Sequence, residues 1–162
     1  MLKGISLQQF YHVLSLIPFS IGAETVVKEL KKRGYILAII SDSYTLATEQ
    51  LKKRLGFNYT IANELSLEDD KISGEVRMPL GWSKGEGECL KHSVCKLGAL
   101  LHLAQKTGIP LRNCVAIGDN LSDVCMLEKA GLGIAFNPKH PKLERVADIV
   151  ITEDLCHILS II

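Results

Sequence analysis

The sequence predicts an α/β protein in which a parallel sheet carries helices on both faces. Short apolar runs of strand length alternate along the chain with amphipathic segments of helix length, which is the pattern of such a sheet. One of these runs, 114–117, stops at Gly118 and leads through an acidic turn into a helix. The length of 162 residues is close to the roughly 150 expected for one domain, so we expect a single core.

The first half of the chain is predicted to contain three helices, one buried strand and a hairpin. Apolar residues recur at helical spacing in the helices, and Pro18, Gly34 and Gly56 mark their ends. The buried strand is a continuous apolar run, the pattern of a strand covered on both faces. The predicted bounds are 6–17, 22–33 and 44–55 for the helices, 35–40 for the buried strand, and 59–65 and 71–77 for the hairpin.

The second half of the chain continues the alternation of helices and strands. A loop is predicted over 79–87, which contains one proline and three glycines, and a long helix over 92–106. Gly108 and Pro110 end this helix, and the acidic strand, turn and helix follow. Two further short strands, 133–136 and 149–151, are predicted on either side of a loop and helix over 138–146.

The composition is that of an ordinary globular protein. The formal net charge is +1 and 47% of the residues are apolar, which gives no indication of a nucleic-acid or membrane partner. No apolar run reaches the roughly 18 residues of a membrane span, and no secretory signal pattern opens the chain. We therefore expect neither a nucleic-acid nor a membrane partner.

The five cysteines are odd in number and irregularly spaced, which favours a reduced, cytoplasmic setting. Cys89, His92 and Cys95 lie close together in sequence, as metal ligands do. No second pair of such residues completes a zinc set, so a zinc site is not expected here.

The acidic turn after the strand 114–117 is the first candidate site. Asp119 and Asp123 lie four residues apart at the carboxyl end of this strand, where ligands bind in open α/β sheets. Two carboxylates at such a place offer the oxygen ligands that Mg²⁺ prefers. The structural alternative is that Asp119 caps the following helix and Asp123 lies in its first turn.

Three separated parts of the chain together offer the groups that phosphate-ester chemistry needs. Ser41 ends one predicted strand, Lys96 lies near the start of a long helix, and Asp119 and Asp123 follow another strand. A hydroxyl donor, a fixed cation and carboxylates for a metal are the groups that stabilise a transferring phosphoryl group. Each part is weak alone, because a lone lysine is usually a surface residue and a serine after a strand is usually a helix cap.

Together and in this order, these parts resemble the haloacid dehalogenase superfamily, and are most similar to its phosphoserine phosphatase branch. Lys96 precedes Asp119 by 23 residues, a separation typical of that branch. The resemblance implies a Rossmann-like core over 19–162 and only a remnant of the family's helical cap over 1–18. The matching stretches are 21–34, 62–65, 71–76, 118–123 and 130–135.

The resemblance implies a role for each site residue. Ser41 resembles the hydroxyl that binds the phosphoryl group, and Lys96 the lysine that neutralises its charge. Asp119 resembles the Mg²⁺ ligand, and Asp123 the carboxylate that supports it. Two positions that border the phosphate and substrate depart from the branch, since Asp42 replaces its usual glycine and Ser122 its usual asparagine.

The largest departure from the family is the missing D-x-D-x-T motif, whose first aspartate is the nucleophile and whose second is the general acid and base. It is expected upstream of Ser41, but the first acidic residue is Glu24 and the first aspartate is Asp42. In the family, the strand with this motif lies between the strands that end at Ser41 and Ile117. We therefore expect an incomplete sheet: the protein starts upstream of Met1, a partner supplies the strand, or the two flanking strands pair directly.

The expected function follows from this resemblance. It is a Mg²⁺-dependent hydrolase of a small phosphorylated metabolite, of the phosphoserine phosphatase type, without turnover by this chain alone. The alternative is a non-catalytic module that binds metal, phosphate or a partner. Exposed strand edges also leave room for a homodimer or a strand-donating partner.

Overall fold

The computed structural model describes residues 2–78 and 93–162. The helices are α1 Leu7–Ser15, α2 Ala23–Lys32, α3 Thr45–Leu55, α4 Lys96–Thr107, α5 Val124–Lys129 and α6 Pro141–Val146. The strands are β1 Ala38–Tyr44, β2 Tyr59–Glu68, β3 Lys71–Arg77, β4 Val115–Gly118, β5 Leu132–Phe136 and β6 Ile149–Ile151. Short 3-10 turns cover Leu111–Asn113, Leu121–Asp123 and Leu155–Ser160.

The strands form two three-stranded sheets, in the orders β1-β2-β3 and β4-β5-β6. The pair β1-β2 is parallel, as are both pairs of the second sheet, while β2 and β3 are antiparallel. Within the described residues, β1 and β4 each lie at the end of their sheet and are not paired with each other. The prediction of an α/β fold with parallel strands is confirmed, and direct pairing of the two flanking strands does not occur.

Strand β1 begins three residues later than the sequence predicts. The Leu37 N–H donates to Oδ1 of Asn58 at 2.8 Å, and the Tyr35 N–H donates to the Leu30 carbonyl, so 35–37 form the connection from α2. The expected burial of 35–40 on both faces is wrong, because Tyr35, Ile36 and Ala38 are exposed. A strand with a hydrogen-bonded neighbour on only one side has less of its surface covered than a central strand.

The antiparallel pair β2-β3 lies where the sequence predicts a hairpin. Asp69 and Asp70 form its turn with φ values of 48° and 58°, and positive φ at both central residues defines a type I′ turn. This turn matches the right-handed twist of the two strands, and aspartate tolerates it better than most residues. Arg77 and Glu64 form an ion pair across the strands.

Helix α4 begins at Lys96, later than the predicted start at 92. Ser93 and Val94 lie outside the helix because both donate hydrogen bonds to the Asp42 carboxylate. Cys95 is the N-cap, and its sulfur accepts a hydrogen bond from the Gly98 N–H. The predicted loop over 79–87 and the residues Cys89 and His92 lie outside the described residues.

The main core lies between the second sheet and the helices that pack on it. Ile40 of β1 packs against this core and so joins the two halves of the molecule. Among the described residues, no helix is long and apolar enough to cross a membrane. The buried residues of this core are Leu100, Ala116, Val124, Met126, Leu127, Ala135 and Leu143.

Candidate functional site

The turn after β4 is organised around the carboxylate of Asp123, which is only 2% exposed. Its Oδ2 accepts hydrogen bonds from the backbone N–H groups of Asp119 and Asn120, each at 2.9 Å. Gly118 leaves the space for this arrangement, because a Cβ there would lie 2.3 Å from the Cβ of Asp123. The sequence Gly-Asp-Asn-Leu-Ser-Asp therefore folds into a tight turn that fixes Asp119 at the carboxyl end of β4.

Lys96 connects this turn to the end of β1. Its ammonium group lies 2.5 Å from Oδ1 of Asp123 and 3.7 Å from Oδ2 of Asp42. The lysine is the first residue of α4, and its side chain is only 11% exposed. Residues of β1 and of the turn after β4 thus meet at one nearly buried cation, and we call this meeting point the Lys96 corner.

Ser41 and Asp42 lie within β1, which continues to Tyr44 rather than ending at Ser41 as predicted, and Asp42 contacts Lys96. The Ser41 hydroxyl oxygen accepts a hydrogen bond from the Ser43 N–H at 3.1 Å. Oδ1 of Asp42 accepts from the Ser93 hydroxyl at 2.9 Å and from the Val94 N–H at 3.0 Å. These bonds attach the end of β1 to the segment that leads into α4.

The Asp42 carboxylate is stabilised in its ionised form. Burial alone would raise its pKa, but the hydrogen bond from the Val94 backbone, with Ser93, Lys96 and Ser122, lowers the pKa below its ordinary value of 3.8. Ser122, which lies in the 3-10 turn after β4, thereby acts on a residue at the end of β1. Lys96 contacts Asp42 and Asp123, and Asp123 in turn holds the backbone of Asp119. Ser41 precedes Asp42 on β1, and its hydroxyl contacts the Ser43 backbone.

Asn63 is a residue of this site that the sequence analysis did not assign. It is 3% exposed and lies on β2, opposite Tyr44 of β1. Its Nδ2 donates to the Asp42 carbonyl at 2.7 Å and to the Ser93 hydroxyl at 2.9 Å. In the sequence, Asn63 could have been noticed as a polar side chain in the middle of a predicted strand. A buried amide needs hydrogen-bond partners nearby, so such a residue indicates a polar site.

Lys139 was also missed and contacts Asp119. Its ammonium group lies 2.5 Å from Oδ2 of Asp119, and its backbone N–H donates to the Asp119 carbonyl at 2.8 Å. The hydrogen bond to Asp119 raises the pKa of Lys139. The sequence did place Lys139 just after the predicted strand β5. Because Gly118 of β4 lies opposite Ala135 of β5, residues that follow these two parallel strands lie close together.

The Asp119 carboxylate has the chemistry of a Mg²⁺ ligand. It lies on the surface, with 44% of its side chain exposed, and Mg²⁺ is commonly held by one or two carboxylates with water and phosphate. Over 2–78 and 93–162, no group of three or more histidine, cysteine or acidic residues could hold a metal. The described residues therefore fit one carboxylate position of a magnesium site and leave its other ligands to water, substrate or further carboxylates.

The chain belongs to the haloacid dehalogenase-like hydrolases, whose family model matches residues 2–128. Its similar relatives include proteins named phosphoserine phosphatase. One, from Methanocaldococcus jannaschii, is 39% identical over 163 residues, a match that covers 100% of this chain and 72% of the relative. Another, from Archaeoglobus fulgidus, is 35% identical over 154 residues, which covers 95% of this chain but only 42% of the relative.

Solved structures show the same similarity to phosphoserine phosphatases. The apo form of a phosphoserine phosphatase superposes with a TM-score of 0.81 at 37% identity, covering 99% of this chain and 76% of that one. A substrate-bound phosphoserine phosphatase gives a TM-score of 0.81 at 36% identity, covering 99% and 72%. The predicted family is therefore confirmed, together with the similarity to its phosphoserine phosphatase branch.

Proposed function

We propose that this chain forms the phosphate- and metal-binding part of a Mg²⁺-dependent hydrolase that converts phosphoserine to serine and phosphate. The observation that carries the proposal is the Lys96 corner, where one nearly buried ammonium group lies within 4 Å of side chains from the ends of two strands. A small phosphorylated metabolite is the substrate class that such a cation suits. The free thiols of Cys95, Cys114, Cys125 and Cys156 suit a cytoplasmic enzyme.

In this proposal Lys96 and Ser41 bind the phosphoryl group. The ammonium group offsets the negative charge of the phosphoryl oxygens, and the Ser41 hydroxyl donates a hydrogen bond to one of them. Asp123 is a positioning residue, because its carboxylate is fully used in holding Lys96 and the backbone of Asp119 and Asn120. Asp42 and Ser122 border the phosphate and influence which anion is accepted.

Asp119 is the proposed Mg²⁺ ligand. When bound, Mg²⁺ supplies positive charge that offsets the charge of the phosphate. Asp123 holds the backbone of Asp119 at the end of β4. The ammonium group of Lys139, which lies on the surface, pairs with the carboxylate of Asp119. Removal of the Asp119 carboxylate is therefore expected to weaken metal binding without disturbing the Lys96 corner.

The nucleophile of the proposed reaction comes from outside the described residues. The two carboxylates beside Lys96 are both held by hydrogen bonds, Asp42 by Ser93 and Val94, and Asp123 by backbone N–H groups. A carboxylate that attacks phosphorus needs a free oxygen in line with the leaving group. Asp123 is held on both oxygens, and Oδ2 of Asp42 lies 3.7 Å from the ammonium group of Lys96, the cation that the phosphoryl group itself needs. Within the described residues β1 and β4 each have a strand neighbour on one side only, which supports a further strand as the source, since its carboxyl end would also lie near Lys96.

The proposal is tested by phosphate release from phosphoserine in the presence of Mg²⁺. The 162-residue chain is compared with a fusion of it to the part of the Methanocaldococcus jannaschii relative that it does not match. We expect turnover by the fusion, none by the chain alone, and none by a fusion that carries Lys96→Met. Turnover by the chain alone would mean that one of its own residues is the nucleophile and would refute the assignment.

The alternative is a module that binds phosphate without turnover. The contacts of Asp42 and Asp123 favour it, because in the described part of the chain Asp123 is held on both oxygens and Asp42 is fixed through Oδ1 beside Lys96. A fusion that folds and binds phosphate but releases none from phosphoserine would support this alternative over the hydrolase.

A further inference from the structure

The Asp42 carboxylate is surrounded by the donors that a phosphate would use. Oδ1 accepts hydrogen bonds from the Ser93 hydroxyl and the Val94 N–H, and Oδ2 lies 3.7 Å from the Lys96 ammonium group. Hydroxyl, backbone N–H and ammonium groups are the donors that bind phosphate oxygens in proteins.

The carboxylate is held at the Lys96 corner rather than free to rotate away. Asn63, which is 3% exposed, fixes the Asp42 backbone through its carbonyl at 2.7 Å and orients the Ser93 hydroxyl at 2.9 Å. That hydroxyl in turn donates to Asp42. The side chain of Asp42 is still 35% exposed, so an incoming anion can reach the same donors.

We propose that Asp42 is an internal anion that competes with the phosphoryl group for Lys96 and its neighbouring donors, and so determines which anions the site accepts. This inference depends on the proposed function of the Lys96 corner. Two anions that share one cation repel each other in a partly buried site, where water screens charges poorly. The corner therefore binds a phosphate dianion weakly unless Asp42 is neutralised or displaced.

The same contacts are compatible with a second role, in which Asp42 only attaches the start of α4 to β1. The two roles predict opposite results. Removal of a competing anion strengthens phosphate binding, whereas removal of an attachment that positions Lys96 weakens it. A substitution that keeps the shape of the side chain but removes its charge separates them.

The experiment measures binding of inorganic phosphate by calorimetry at pH 7.5 for the wild-type chain and its variants. We expect Asp42→Asn and Asp42→Ser each to bind phosphate at least tenfold more tightly than the wild type, which corresponds to about 1.4 kcal/mol. Glu29→Gln is the matched control, since it removes one negative charge from an α2 residue that pairs with Lys32 and Arg33 instead. This control is expected to bind phosphate as the wild type does.

Two further variants separate this inference from the proposed function. Lys96→Met, or Ser41→Ala if the first does not fold by circular dichroism, is expected to lose phosphate binding. If that loss occurs but both Asp42 variants bind phosphate no better than the wild type, Asp42 is not a competitor. The proposal that the Lys96 corner binds phosphate is then retained. If Lys96→Met and Ser41→Ala bind phosphate like the wild type, or if no variant binds phosphate, the Lys96 corner is not a phosphate site and both proposals fail. An equal gain in Glu29→Gln would assign the effect to net charge and also overturn the inference.

Discussion

The ammonium group of Lys96 lies 2.5 Å from the carboxylate of Asp123, and these side chains are only 11% and 3% exposed. The two residues are 27 positions apart in sequence and come from different elements, α4 and the turn after β4. A buried pair of this kind contributes little net stability when complete, but it is costly to break, because one charge is then left without a partner. The Lys96 corner is therefore a structural feature as well as a candidate site.

Substitution of Lys96 by Met is expected to destabilise the chain strongly. It leaves the Asp123 carboxylate buried with only two backbone N–H partners, and loss of one member of a buried pair costs about 3 kcal/mol or more. The free energy of unfolding, measured by urea titration, checks this value. Lys32→Met is the control, because Lys32 pairs with Glu29 on the surface, and its loss is expected to cost less than about 1 kcal/mol.

The combined variant Lys96→Met with Asp123→Asn gives a sharper test of the same pair. If the pair acts as a unit, the double variant is less destabilised than the sum of the two single variants. Additive effects of the two substitutions would contradict direct coupling between Lys96 and Asp123.

Substitution of Gly118 by Ala is expected to disturb the turn after β4. The new Cβ would lie 2.3 Å from the Cβ and 2.5 Å from the Cγ of Asp123, whose side chain is held on both oxygens and cannot move away. Overpacking of this kind typically costs about 1–3 kcal/mol. Urea titration measures the cost, and phosphate calorimetry reports whether the Lys96 corner is displaced.

Gly98→Ala is the matched control for this prediction. Gly98 lies inside α4, and a Cβ there would meet only the Cys95 side chain, at 3.3 Å. Alanine favours a helix over glycine by about 0.5–1 kcal/mol, so this variant is expected to be neutral or more stable. Equal destabilisation by both alanines would argue against a special steric requirement at Gly118.

The Asp42 carboxyl is expected to make stability depend on pH. Hydrogen bonds in the folded state lower its pKa below 3.8, so its contribution to stability is fully present well above that pH. This contribution is lost as the pH falls through the lower pKa of the folded state. We therefore expect the wild type to be more stable than Asp42→Asn at pH 7, with a difference that shrinks towards pH 3.

Urea titrations of both proteins at several pH values check this dependence. Other carboxyl groups titrate in both proteins, so the informative quantity is the difference between their free energies of unfolding. A difference that stays constant from pH 7 to pH 3 would mean that the ionised form of Asp42 is not preferentially stabilised by folding.

The sequence predicted the residues of the Lys96 corner better than the contacts between them. Ser41 and Asp119 could be expected to lie near each other, because the carboxyl ends of parallel strands share one side of a sheet. Asn63 could be singled out as a polar residue inside a predicted strand, but its partners Asp42 and Ser93 could not be predicted, since they come together only through folding. Lys139 contacts Asp119 through a side chain and a backbone group, and neither contact leaves a periodic signal in the sequence.

The errors in element bounds have the same origin. Helix periodicity extended α4 to residue 92, but hydrogen bonds from Ser93 and Val94 to Asp42 compete with the first helical turn. The apolar run 35–40 predicted a strand, but the amide of Asn58 holds the Leu37 backbone in a connection. Both features depend on a side chain that is distant in sequence, and local patterns do not report it.

The unpaired edges of β1 and β4 are expected to make the isolated chain self-associate. Each strand has a hydrogen-bonded neighbour on only one side within the described residues, and Ile117 of β4 is 38% exposed. Unpaired backbone groups beside exposed apolar side chains readily pair with the strands of another molecule. We therefore expect the mass measured by light scattering to rise with protein concentration, and Ile117→Lys to reduce this rise, because a charged residue on an edge strand opposes such pairing.

Leu101→Lys is the matched control for edge pairing, since Leu101 is similarly exposed but lies on helix α4. If association occurs through strand edges, this substitution leaves the concentration dependence unchanged. If both lysine variants reduce association equally, general surface hydrophobicity is responsible rather than the edge of β4. A wild-type chain that remains monomeric at all concentrations would mean that the two edges are protected from pairing. It would also weaken the hypothesis that a partner donates a strand to them.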